Sequence, residues 1–245
     1  VFDPSYELRN AVALRAADGQ SLIAPDWRAE RSVEGMAAVA MTGSNSPVFP
    51  DVHGRWTPLV EATDRYGRSR GPVGAMVQNF AGPYAKAGWA FFGVTNTDLF
   101  DGRLPALDRM LVDAVERLTS PRFLHDLRTD LACYRRGESM VISVSAHLGE
   151  GVDGAFVSIA VGDTVLSKLP FAGAGTDRIE ARWAVPADAQ PFYTVQASLE
   201  VDGKVVDVMR TGAVVWDEAV IARGPSIDLK DNYFRFRGTP TLLNG

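Results

Sequence analysis

The stretch Tyr193-Thr-Val-Gln-Ala-Ser-Leu-Glu-Val-Asp-Gly-Lys-Val-Val-Asp-Val-Met-Arg210 decides the fold of this chain. Tyr193, Val195, Ala197, Leu199 and Val201 alternate with Thr194, Gln196, Ser198 and Glu200, a period of two that puts the apolar residues on one face of a strand. Asp202-Gly203 then supplies the residue pair that a two-residue hairpin turn favours, because its central positions need positive φ. Working back along the chain, the same period recurs. Ile179, Ala181, Trp183 and Val185 alternate with Glu180, Arg182 and Ala184; Ala155, Val157, Ile159 and Val161 form another set; Ile142, Val144 and Ala146 alternate with Ser143, Ser145 and His147. Short strands with one apolar face, separated by Gly, Pro and Asp turns, predict an antiparallel immunoglobulin-like β-sandwich over residues 122–224.

The period changes at Pro121. Before it, Leu104, Leu107, Leu111, Ala114, Val115 and Leu118 recur at three- and four-residue steps, which predicts a helix from Pro105 to Leu118 with one apolar stripe. Pro105 suits the first turn and Ser120-Pro121 stops the helix. Val73 to Asn79 alternates as a strand should. Trp89 to Thr95 is more continuously apolar, as in a strand buried on both faces. The loop Ala81 to Gly88 joins them. Strand, loop, strand and long helix together predict an α/β portion over residues 1–121. The expected class is therefore α+β overall, with residues 225–245 a junction into a further module. Val1-Phe2 is neither an initiator Met nor a signal peptide, and Leu242 and Leu243 have nothing behind them to pack on, so the chain reads as a piece of a longer protein.

Composition narrows the function. A net charge of −5 and a pI near 5.3 argue against a nucleic-acid partner. No apolar run approaches the roughly 18 residues of a membrane span. The single cysteine, Cys133, lies among apolar residues and reads as a buried structural thiol.

Two stretches carry a resemblance. Val73 to Leu118 is similar to the last strands and closing helix of class I glutamine-amidotransferase-like domains. The tail Asn232-Tyr-Phe-Arg-Phe-Arg-Gly-Thr-Pro-Thr-Leu-Leu-Asn-Gly245 resembles the junction that leads from an immunoglobulin-like sandwich into the catalytic barrel of many glycoside hydrolases. Together they imply the non-catalytic middle of a multidomain bacterial carbohydrate-active protein, with a periplasmic or extracellular parent. Its partners would be the other domains of that parent, and carbohydrate and a second copy are further candidates. Cys133 lies beyond the helix, in a predicted sandwich strand, so it does not match the amidotransferase nucleophile.

Among candidate sites, Arg55 to Gly71 is the densest polar block. Trp56 and Tyr66 would stack on a sugar while Asp64, Arg65, Arg68 and Arg70 bond its hydroxyls, since sugars present apolar faces and polar rims. The plain alternative is a Tyr66-Gly67 turn with paired charges. Glu61 and Asp64 form a glycosidase-like carboxylate pair only in the sense that any two carboxylates three residues apart do. Asp51-Val-His53 has no second ligand at metal spacing, and His53, His125 and His147 read as surface or hydrogen-bonded residues. No catalytic, cofactor or metal motif emerges. Three readings follow: an accessory structural region, a carbohydrate-binding module relying on Trp56 or Trp27, and a small amidotransferase-like hydrolase.

Overall fold

A computed structural model describes residues 8, 10–17, 22–37, 54–95, 98–119, 121–149, 154–171, 178–224, 227–230, 233–236 and 239–240. The N-terminal lobe is built on five strands: β1 (Ala13–Ala16), β2 (Arg28–Ala29), β3 (Gly54–Thr63), β4 (Ser69–Asn79) and β5 (Gly88–Phe92). They lie in the order β2-β1-β3-β4-β5, and every neighbouring pair is antiparallel. Helix α1 (Pro105–Thr119) packs on the face of this sheet that carries Met76, Ala90 and Phe92.

This overturns the expected α/β, amidotransferase-like portion. The loop between β4 and β5 is eight residues long, and a parallel pair needs a crossover of about a dozen or more. It can therefore only fold back as an antiparallel hairpin, and the helix follows the hairpin instead of linking its strands. β5 is also not buried on both faces. It lies at the sheet edge, with Trp89 and Phe91 48% and 40% exposed. The helix is rotated from the stripe expected of it: Leu107, Met110 and Ala114 are buried, while Val115 is 54% exposed.

The second lobe is a β-sandwich. One sheet holds β9 (Ala155–Val161), β10 (Thr164–Phe171), β12 (Phe192–Val201), β13 (Lys204–Val215) and β7 (Cys133–Tyr134), in the order β10-β9-β12-β13-β7. The other holds β6 (Arg122–Thr129), β8 (Ser139–Leu148) and β11 (Arg178–Ala184), in the order β11-β8-β6. Between them lies a core that includes Met140, Ile142, Val144 and Ala146 from one side and Val157, Ile159, Val195, Ala197 and Leu199 from the other. Apart from Met140, these are the residues that the two-residue period selects. Asp202 and Gly203 both take positive φ, 52° and 74°, so the turn between β12 and β13 has the twist that a tight hairpin needs. Trp183 packs against this core with its ring edge to Tyr193, centroids 4.8 Å apart. Cys133 is exposed, because β7 is a two-residue strand at the sheet edge. The sandwich is followed by the short helix α2 (Glu218–Arg223) and by a small sheet of β14 (Ile227–Lys230), β15 (Tyr233–Phe236) and β16 (Thr239–Pro240).

Candidate functional site

The predicted binding block falls on the β3–β4 hairpin. Asp64, 6% exposed, organises its tip. Oδ1 accepts from the backbone N–H of Tyr66 at 2.8 Å and of Arg68 at 3.1 Å, and Oδ2 accepts from Arg68 Nε at 2.8 Å. Burial pushes the Asp64 carboxyl up, but the hydrogen bonds from Arg68 and from the backbone outweigh it and hold the group below its ordinary value. Tyr66 projects outward, 65% exposed, with the guanidinium of Arg65 4.7 Å and that of Arg68 5.0 Å from its ring centre. Arg65 also donates to the Tyr66 hydroxyl at 2.5 Å. Arg70 stands just beyond the tip on β4. Asp64, Arg65, Tyr66 and Arg68 are thus brought together, largely to satisfy one another.

Trp56 is elsewhere. It sits eight residues before Asp64 along an extended strand, and at roughly 3.3 Å per residue that puts about 25 Å between them. Its neighbours are the aromatic residues of β5. Register sets Trp56 opposite Val77 and Val77 opposite Trp89, so the three share one face, with Phe91 two residues on from Trp89. Trp56 and Phe91 have ring centroids 5.8 Å apart, as do Tyr84 and Trp89. This aromatic face is turned away from α1. Trp27 takes no part in it and packs instead against the lobe's core. Glu61 is engaged by Arg15, with Nε at 3.0 Å and Nη2 at 2.6 Å, so it forms no pair with Asp64.

The most completely built polar constellation is one that the sequence reading missed, and it lies between the lobes. Asp207, on β13, is 1% exposed. It pairs with Arg55 of β3, and its Oδ1 lies 3.4 Å from Arg117 of α1. Its Oδ2 also accepts from the backbone N–H of Leu124 at 2.7 Å. The two guanidiniums are tied down further: Arg55 donates to the carbonyls of Leu124 at 2.9 Å and Val208 at 3.3 Å, and Arg117 to that of Val206 at 2.5 Å. Burial draws the Arg117 guanidinium below its ordinary value, against the pull of Asp207.

Beside this network the outer face of the β6–β8 sheet meets the N-terminal lobe. Leu124 faces the sandwich core, so alternation sends Phe123 and His125 the other way, and the register places His147 opposite Phe123. Phe123 and His125 are nevertheless 1% and 4% exposed, because the first lobe covers them. His125 stacks on Phe80, centroids 3.9 Å apart and planes within 10°. His147 stacks on Phe123 at 5.1 Å and lines a small recess with Gln78, Asn79, Lys86 and Gly88. The signal that pointed here was the polar outward set of β8, Ser143, Ser145 and His147; Ser143 and Ser145 are both buried.

Among the described residues no group of His, Cys, Asp and Glu has the arrangement of a metal site, and no helix is long and apolar enough to cross a membrane. Asp51 to His53 lies outside the described residues.

No protein-family model and no curated protein matches the chain. Among solved structures, it is similar to the CARDB domain of the PF1109 protein of Pyrococcus furiosus, at 12% identity and a TM-score of 0.33 over 40% of this chain and 89% of that one. It is similar to a Niemann-Pick type C2 protein from the Japanese carpenter ant, at 7% identity and a TM-score of 0.30 over 39% of this chain and 92% of that one. A cycloisomaltooligosaccharide glucanotransferase of a Paenibacillus species shares 16% identity at a TM-score of 0.28, over 38% of this chain and 14% of that one. Each likeness spans less than half of this chain, and none bears on its function.

Proposed function

We propose that this chain is an accessory, structural region of a larger carbohydrate-active protein, a glycoside hydrolase, and that it holds neighbouring modules at a fixed separation and angle. The observation that carries this reading is the joint formed by Arg55, Asp207 and Arg117. Lobes joined within one chain move relative to each other by default unless the contact between them is extensive. Here a buried carboxylate is held by a strand and a helix of one lobe and by a backbone amide of the other. A joint of this kind supports the reading of a spacer whose lobes stay fixed to each other at neutral pH. The barrel-entry resemblance of Asn232 to Gly245 supplies the carbohydrate part of the reading. In such a parent two carboxylates of the following module would cleave the glycosidic bond, and this chain would set the orientation of that module. The test is to read the gene beyond the codon for Gly245. An open frame entering strand–helix repeats with Asp or Glu at strand ends is expected. A stop codon directly after Gly245 overturns the reading.

The exposed rings of Tyr84, Trp89 and Phe91, with the half-buried Trp56 against Phe91, favour a second reading, a carbohydrate-binding surface. Aromatic rings offer apolar faces to sugars. Titration of the chain with soluble polysaccharides tests it, with binding lost in Trp89→Ala and unchanged in Tyr66→Ala as the expected pattern.

A further inference from the structure

We propose that the joint between the lobes is a proton-sensitive latch, in which neutral imidazoles at His125 and His147 keep the lobes together and their protonation releases them. The inference stands on placement and does not rest on the carbohydrate reading. Both rings sit on the sandwich face that the N-terminal lobe covers. His125 is 4% exposed, its Nδ1 lies 3.2 Å from Asp126 Oδ2, and its Nε2 is buried without a hydrogen-bond partner among the described residues. A neutral ring with the proton on Nδ1 fits that site, because an unpartnered acceptor on an aromatic stack costs less than an unpartnered charge. Adding a proton at Nε2 creates a cation whose new donor meets no acceptor among the described residues.

The charged groups around the pair make the effect larger. The charge of Arg55 on β3 acts on His125, and that of Lys86, in the β4–β5 loop and lining the same recess as His147, acts on His147. The two imidazoles also repel each other once charged. Against these stand Asp126 on the sandwich side, which is largely exposed, and Asp207, which is already engaged by Arg55 and Arg117. Positive charge therefore accumulates in a contact with little negative charge left to balance it. Burial, with Arg55 for His125 and with His125 and Lys86 for His147, holds both rings below their ordinary values, so the latch stays closed at neutral pH.

The experiment follows the intact chain by small-angle X-ray scattering from pH 7.5 to pH 5, alongside NMR titration of the imidazole ring protons. The radius of gyration is expected to rise as the pH falls. The double variant His125→Phe with His147→Phe, which keeps a ring on Phe80 and removes both titrating groups, is expected to lose that rise. Titration of both imidazoles below about 6.5 is expected in the unmodified chain. A radius that does not change with pH overturns the proposal, as does the same expansion in the double variant. If the double variant does not fold, the titration decides alone: either imidazole titrating at or above about 6.5 overturns the proposal.

Discussion

Arg55 and Asp207 form an ion pair across 152 positions of sequence, with side chains only 9% and 2% exposed. The pair ties β3 of one lobe to β13 of the other, and Arg117 completes it from α1. Breaking such a buried arrangement by removing one member leaves uncompensated charge. Asp207→Asn is therefore expected to cost about 3–5 kcal/mol of stability, as read from urea unfolding. In a double-mutant cycle Arg55→Met should cost little more once Asp207 is gone, because the two act as one unit. Strict additivity of the two losses would show that the pair does not couple the lobes.

Gly93 and Gly35 let two chain segments touch. Met36 donates its N–H to Gly93 O at 2.7 Å, and a Cβ on Gly93 would come within 2.0 Å of the Met36 carbonyl. Gly93→Ala must push one backbone off the other, with an expected loss of about 3 kcal/mol. Gly67→Ala meets open space and bears only the cost of a left-handed backbone at φ +74°, about 1 kcal/mol. Thermal melts of the two variants should rank in that order.

The hairpin tip separates a turn from a site. Asp64→Ala strips the cap from three donors and is expected to lower the melting temperature more than Tyr66→Ala does. Tyr66→Ala removes an exposed ring and should cost no more than about 1 kcal/mol, the value of its contacts with Arg65 and Arg68. A Tyr66 variant that folds normally yet loses measurable glycan affinity would place a binding site at the tip after all.

Asp130 links acid pH to the sandwich. Tyr134, buried to 1% exposure, donates its hydroxyl to Asp130 Oδ1 at 2.6 Å, and the Val141 N–H donates to the same oxygen at 2.8 Å. The Tyr134 hydrogen bond is the main reason that the carboxyl is held below its ordinary value, and it outweighs burial. The folded state thus binds this proton less readily than the unfolded one. The stabilisation is fully present above the ordinary carboxylate range and is lost as the pH falls through the lowered value. Melting temperatures between pH 6 and pH 2 should fall less steeply in Asp130→Asn than in the unmodified chain.

Cys133 is accessible on an edge strand. A thiol reagent is expected to modify it in the native protein at the rate of an unfolded control to within about tenfold. Protection much greater than that would mean that β7 is covered.

The sequence by itself determined the sandwich core. Alternation along β8, β9, β11 and β12 needs only the two-residue period of a strand and one buried face, and the Asp202-Gly203 turn needs only its local φ preference. It also determined that a helix starts at Pro105. Direction and layer were left to the tertiary structure. An apolar run such as Trp89 to Phe92 reads alike in a buried parallel strand and in an antiparallel edge strand, and only pairing with β4 assigns it to the edge. The rotation of α1 was decided by the sheet on which Met110 lands, beyond what helical spacing fixes. Beyond the polar outward set of β8, the joint left no local pattern. Arg55, Arg117, His125 and Asp207 are ordinary polar residues in four separate elements, and burial gives them meaning only when two lobes close on them. Charge and hydrogen bonding depend on neighbours in space, and those neighbours are set by the packing of whole sheets.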